Sequence, residues 1–212
     1  MDVSHKKLRA GSVFCVLLLL ISLSLSGCQK KDEDGKWLYT EKQLSAVEAL
    51  YGQELPEVLA EFQLKESDVS ESAAMPGAWD MPESVSIEGK EFSETLHFDV
   101  SNGTFYGVMF TNLFKDMEDL PGYIDGIMKK ITEVYGEPTT YPGIENRLTS
   151  EDFPSDVLDS MKKGDLSHWR EDWDVGEKTI CTLTVSVVKM NTARITYEFK
   201  MRNPRVGWQN TD

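Results

Sequence analysis

Two runs near the C-terminus alternate apolar and polar residues one for one. Between Thr179 and Val188, Cys181, Leu183, Val185 and Val187 are set against Thr182, Thr184 and Ser186; between Ala193 and Met201, Ile195, Tyr197, Phe199 and Met201 are set against Arg194, Thr196, Glu198 and Lys200. Successive side chains of a strand point to opposite faces, so each run buries one face and wets the other. Strands of a doubly wound parallel sheet are apolar on both faces; these are not. The pattern predicts an α+β fold in which antiparallel sheet packs against helices on one face only.

The remaining elements follow from turn and cap chemistry. His168 to Asp174 is a third C-terminal strand. Earlier, Val85 and Ile87 alternate with Ser86 and Glu88, and Gly89-Lys90 turns the chain. The next strand sets Phe92, Leu96, Phe98 and Val100 against Ser93, Thr95, His97 and Asp99, and Asn102-Gly103 is a type I′ hairpin signal leading to Tyr106, Val108 and Phe110. Thr40 with Gln43 forms a capping box, Tyr39 and Leu44 a staple, and Leu44, Val47, Leu50 and Tyr51 recur at helical spacing until Gly52. A second short helix is expected from Pro56 to Phe62, followed by a long loop from Lys65 to Glu83, rich in Ser, Asp, Glu and Pro. Pro121 opens a helix with the stripe Ile124, Ile127, Met128, Ile131, Val134 and Tyr135, stopped by Gly136 and Pro138. A loop from Thr139 to Thr149 precedes a short helix from Ser155 to Lys163.

The N-terminus carries a different message. Lys6, Lys7 and Arg9 precede an apolar run, Val13 to Leu25, and then Leu25-Ser26-Gly27-Cys28. The run is too short and too rich in serine to span a bilayer, which takes about 20 apolar residues, and it suits a cleaved leader. This order of features resembles a bacterial lipoprotein signal peptide with its lipobox. The resemblance implies cleavage after Gly27, acylation of the Cys28 sulfur, and attachment to the cell membrane at its extracytoplasmic face. The whole chain has 22 Lys and Arg against 36 Asp and Glu; losing three bases and one acid with residues 1–27 leaves 19 against 35, so the net charge moves from −14 to −16. Residues 28–38 then form the lipidated cysteine and a polar tether, and Cys181 is the one thiol left, so no intramolecular disulfide is expected.

In order, the elements read helix, helix, three strands, twice over, with Tyr51-Gly52 and Tyr135-Gly136 each followed by an acid and a proline. Two ααβββ halves are expected, residues 39–117 and 118–212. This order resembles β-lactamase inhibitor proteins and small outer-membrane assembly lipoproteins. The competing expectation is a single antiparallel sheet with helices on one face.

Catalytic and metal signals are thin. His97 and His168 stand alone on the polar faces of their strands, outside any HExxH or CxxC setting, and both are expected to be exposed. Asp32-Glu33-Asp34-Gly35 is no calcium loop and reads as solvated tether. Ser160-Met161-Lys162-Lys163 matches S-x-x-K, but Lys178-Thr179-Ile180 lacks the glycine of its companion motif, and lysines at a helix end suit the dipole. The strand phase of Cys181 marks an inert core thiol. Neighbouring Glu171 and Asp172 point to opposite faces and form no acid and base pair, while Glu171 shares its face with Trp169 and Trp173. That face is either an edge with a solvated rim or an exposed aromatic strip. No catalytic residue, metal or cofactor is assigned.

The residues that suit partner contact are aromatics and methionines between regular elements. Met75-Pro76-Gly77-Ala78-Trp79-Asp80-Met81-Pro82 sets Trp79 between Met75 and Met81, and Tyr141-Pro142-Gly143 lies in the other loop. Trp79 either anchors a partner or folds back over the sheet. Strong acidity repels phosphate backbones, so no nucleic acid is expected. The sequence thus points to a non-enzymatic binding or scaffolding lipoprotein for a protein or envelope component. The alternatives are a solute-binding lipoprotein and an inhibitor of an extracellular enzyme.

Overall fold

The structure of the chain, a computed structural model, describes residues 37–115, 117–139, 155–163, 168–189 and 192–202. Along these run helices α1 (Glu41–Leu50) and α2 (Leu55–Glu61), a 3-10 turn (Glu66–Asp68), strands β1 (Ser70–Glu71), β2 (Ala78–Ile87), β3 (Lys90–Phe98) and β4 (Phe105–Phe114), helices α3 (Leu120–Tyr135) and α4 (Ser155–Lys163), and strands β5 (His168–Asp174), β6 (Thr179–Lys189) and β7 (Thr192–Met201). The strands make one seven-stranded sheet, ordered β1-β2-β3-β4-β7-β6-β5, in which every pairing is antiparallel.

Register sorts the side chains onto two faces. Leu96 lies opposite Val108, Val108 opposite Phe199, Phe199 opposite Cys181 and Cys181 opposite Trp173. This row and its parallels join Leu44, Val47, Val58, Leu59, Ile124, Ile127 and Ile131 of the helices in one continuous core. The described helices therefore cover one face of the sheet, and the expected α+β class holds at that level.

Local chemistry accounts for most elements. The Thr40 N–H donates to Gln43 Oε1 (2.9 Å) and the Gln43 N–H to Thr40 Oγ1 (3.4 Å), closing the capping box of α1. Gly136, at φ +86°, stops α3 with its N–H on the Thr132 carbonyl (2.9 Å). Glu48 ties α1 to the β5–β6 turn: its Oε1 accepts from the Lys178 N–H (2.7 Å) and Thr179 Oγ1 (2.8 Å).

Several expectations give way. Residues 65–83 are not one loop, because β3 offers an edge on which Ala78 to Ile87 pair despite weak strand propensity, and Ser70–Glu71 adds to that strand in turn. Asn102-Gly103 is not a type I′ turn, which needs positive φ at both central residues; only Gly103 has it (+71°). Asp99 holds that loop instead, accepting from the Ser101 N–H on Oδ1 (2.7 Å) and from the Gly103 N–H on its carbonyl (2.7 Å). The tight turn is at Glu88-Gly89, both at positive φ (48° and 73°), with Ile87 opposite Lys90. Val100 sits in the Asp99 loop and is 72% exposed, not core. An irregularity between His97 and Phe98 shifts the β3–β4 register, so Phe105 enters the core and Tyr106 meets His97 on the other face.

Candidate functional site

Three of the candidate partner residues gather at one end of the sheet. Gly77, at φ +78°, packs its Cα so close to β3 that a Cβ there would lie 2.4 Å from the Phe98 carbonyl oxygen, and its own carbonyl accepts from the Phe98 N–H (2.8 Å). This contact starts β2 at Ala78 and puts Trp79 opposite Leu96, on the helix side of the sheet. Trp79 and Met81 are half-buried against the core, and Met75, in the turn before β2, is 38% exposed. Trp79 thus lies within a strand, folded back on the core and still reaching solvent. Its outer neighbour β1 pairs only Ser70 with Asp80 and Glu71 with Trp79, so β2 from Met81 onward is the sheet's edge.

The other candidates are elsewhere. Trp169 (6% exposed) and Trp173 (fully buried) belong to the core, and Glu171 between them is 8% exposed. Neither a solvated rim nor an exposed aromatic strip describes that face of β5, because Trp169 and Trp173 are buried members of the same core cluster as the helix residues. Tyr141 and Cys28 lie outside the described residues.

Sequence reasoning missed what happens to β2 opposite Glu94. Asp80 pairs with Thr95 and Ser84 with Ser93, so Met81, Pro82 and Glu83 together face the single residue Glu94. Glu94 lies between Phe92 and Leu96 on the helix side, opposite Phe110 of β4. Burial first, and then the Glu83 carboxylate, push its carboxyl up to about 7. The one signal in the sequence was an acid in phase with Phe92, Leu96 and Phe98.

The polar face of the sheet carries a second cluster. His97 is buried (6% exposed), contrary to the expectation of exposure. Thr95 Oγ1 donates to the Met109 carbonyl (3.3 Å) and so accepts from His97 Nε2 (3.0 Å), leaving Nδ1 to accept from the Tyr106 hydroxyl (3.2 Å). Burial holds this imidazole below its ordinary range, with Lys200 adding to the effect and Glu198 and Asp80 opposing it. Both ring nitrogens are engaged within the fold. Gly107 lies between His97 and Lys200, where a Cβ would meet the Phe199 carbonyl oxygen at 2.6 Å. Farther along, Asp172 Oδ1 accepts from Arg170 Nε (2.8 Å) and Thr182 Oγ1 (2.7 Å), so this carboxylate is a structural hub. His168 is exposed at the far edge.

Cys181 is fully buried, and burial raises its thiol well above the ordinary range, so its sulfur is held as an unreactive thiol. Lys162, from the S-x-x-K segment, pairs with Glu118. Among the described residues no cluster of three or more His, Cys, Asp and Glu is placed to hold a metal, and no helix is long and apolar enough to cross a membrane. No protein-family model, curated protein or solved structure matches the chain.

Proposed function

We propose that the chain is a bacterial lipoprotein, cut before Cys28 and held to the cell membrane at its extracytoplasmic face by acyl chains on that cysteine, whose α+β domain acts as a non-enzymatic binding or scaffolding module for an envelope protein. The observation that carries the anchoring is the order of basic residues, apolar run and Leu25-Ser26-Gly27-Cys28. A domain of net charge −16 is repelled by anionic headgroups, so in this reading attachment rests on the lipid alone. The binding surface is the β1–β2 end, where Met75, Trp79 and Met81 combine an amphipathic ring with adaptable thioethers beside an edge strand.

The domain is further read as two ααβββ units. Sheet order supports this: β2-β3-β4 and β7-β6-β5 run outward from the β4–β7 pair in mirrored sequence, and two helices precede each set. The single sheet gives no pair of βαβ lobes, which weighs against the solute-binding alternative.

Labelled palmitate fed to cells expressing the chain is expected to enter the wild type and not Cys28→Ala, which should leave the membrane fraction; equal labelling of both would overturn the anchoring. Crosslinking in intact envelopes is expected to trap one abundant partner with the wild type and to lose it with Trp79→Ala. An unchanged crosslink pattern would remove Trp79 from the surface.

A further inference from the structure

The Met81–Glu83 segment has no regular ladder partner, and the residue opposite it is a carboxylic acid, Glu94. Three residues oppose one across this bulge, Pro82 has no N–H to give to a ladder, and β1 has already ended, so neither side of the segment pairs regularly. Its two ends are fixed. Asp80 pairs with Thr95 and with Ser70, while Ser84 pairs with Ser93 and donates its hydroxyl to Glu91 Oε2 (2.6 Å). Such a segment can move between its ends without disturbing the strands that flank it.

What faces Glu94 decides when it moves. From β2 comes Glu83, a like charge; from the segment before α1 comes Tyr39, itself stacked on Phe199 at 4.3 Å between ring centroids; from β4 comes Phe110. These facing groups offer no cation to balance the carboxylate. With its proton, Glu94 is a neutral group that the apolar row tolerates. Without it, a half-buried charge in line with Phe92 and Leu96 faces the exposed Glu83 carboxylate, and both are relieved when the bulge swings out to admit more water.

We propose that the proton on Glu94 latches the Met81–Glu83 bulge over the core, and that its loss releases the bulge and loosens the packing of Met81 and Trp79. Resting on the reading of Trp79 and Met81 as the partner surface, this makes that surface pH-operated: closed in an acidified envelope, open at and above neutrality. The sign follows from the direction of the perturbation. Burial favours the protonated acid in the folded chain, so the latch contributes fully below the carboxyl's unfolded value of about 4.3 and is lost as pH rises through the folded value, near 7.

The test is fluorine NMR of the full chain in detergent micelles, with fluorotryptophan at every Trp and the Trp79 signal assigned by Trp79→Phe. The Trp79 signal is expected to shift with a midpoint near 7. The transition should vanish in Glu94→Gln and move to lower pH in Glu83→Gln, which removes the facing charge. No Trp79 transition between about pH 5.5 and about pH 8.5, or one that persists in Glu94→Gln, overturns the latch. Persistence would assign the signal to His97, which lies opposite Ala78. Should Glu94→Gln fail to fold, Glu83→Gln decides, since an unmoved midpoint is incompatible with a Glu83–Glu94 pair. No partner enters this measurement, so its failure leaves the crosslinking result standing, and a lost crosslink leaves the latch standing.

Discussion

His97 shows how one residue's chemistry is rewritten by its neighbours. In isolation it is a histidine on the wet side of an alternating strand, and alternation rightly put it on the face away from the helices. Alternation is blind to what flanks it there. Thr95 and Tyr106 close over both nitrogens and fix the neutral form. An imidazole held below its ordinary range takes up its proton in the unfolded chain first, so its contribution to stability is present above about 6.5 and is lost as pH falls through that value toward the lower folded one. Urea titrations at about pH 7.5 and about pH 5.5 are expected to show a larger loss on acidification for the wild type than for His97→Gln. Equal losses would mean that burying the neutral ring contributes nothing. Cys181 is the opposite case: strand phase alone placed it in the core, and it is there.

Among elements, most of those built on local rules were legible, and those built on distant partners were not. The α1 cap needs only Thr40 and Gln43, three residues apart, and it forms as the spacing demands. Thr40→Ala is expected to cost about 1 kcal/mol in equilibrium unfolding, and Thr40→Ser only a fraction of that, because the serine hydroxyl can still accept from the Gln43 N–H. A loss as large for serine as for alanine would assign the effect to packing. The hairpin at Asn102-Gly103 fails as a local rule because the Asp99 carboxylate captures the Ser101 N–H and hydroxyl, which stabilises a longer loop. Strand β2 was hidden for another reason. Its Met-Pro-Glu stretch has poor strand propensity, and only the β3 edge makes it pair, at the expense of a bulge.

At the scale of the molecule, the two halves share a sheet and a core. Eight residues of β4 pair with β7, from Gly107 opposite Lys200 to Phe114 opposite Ala193, and Tyr39 of the first half stacks on Phe199 of the second. A fragment of residues 39–117 would expose the β4 edge and half of that core, so it is expected to show no protected amides in hydrogen exchange, while the whole domain unfolds in a single transition. A cooperatively folded fragment would show that each half is self-sufficient. By itself the sequence determined the fold class, the faces that β6 and β7 bury, the helix stops at Gly52 and Gly136 and the core place of Cys181, since these follow from periodicity and backbone chemistry that act over a few residues. Only the tertiary structure decided that the strands form one sheet, that Trp169 and Trp173 are core, that Trp79 stands in a strand, and that Glu94 faces a bulge. Those outcomes depend on which surfaces meet, and residues far apart in the chain settle that by excluding water together.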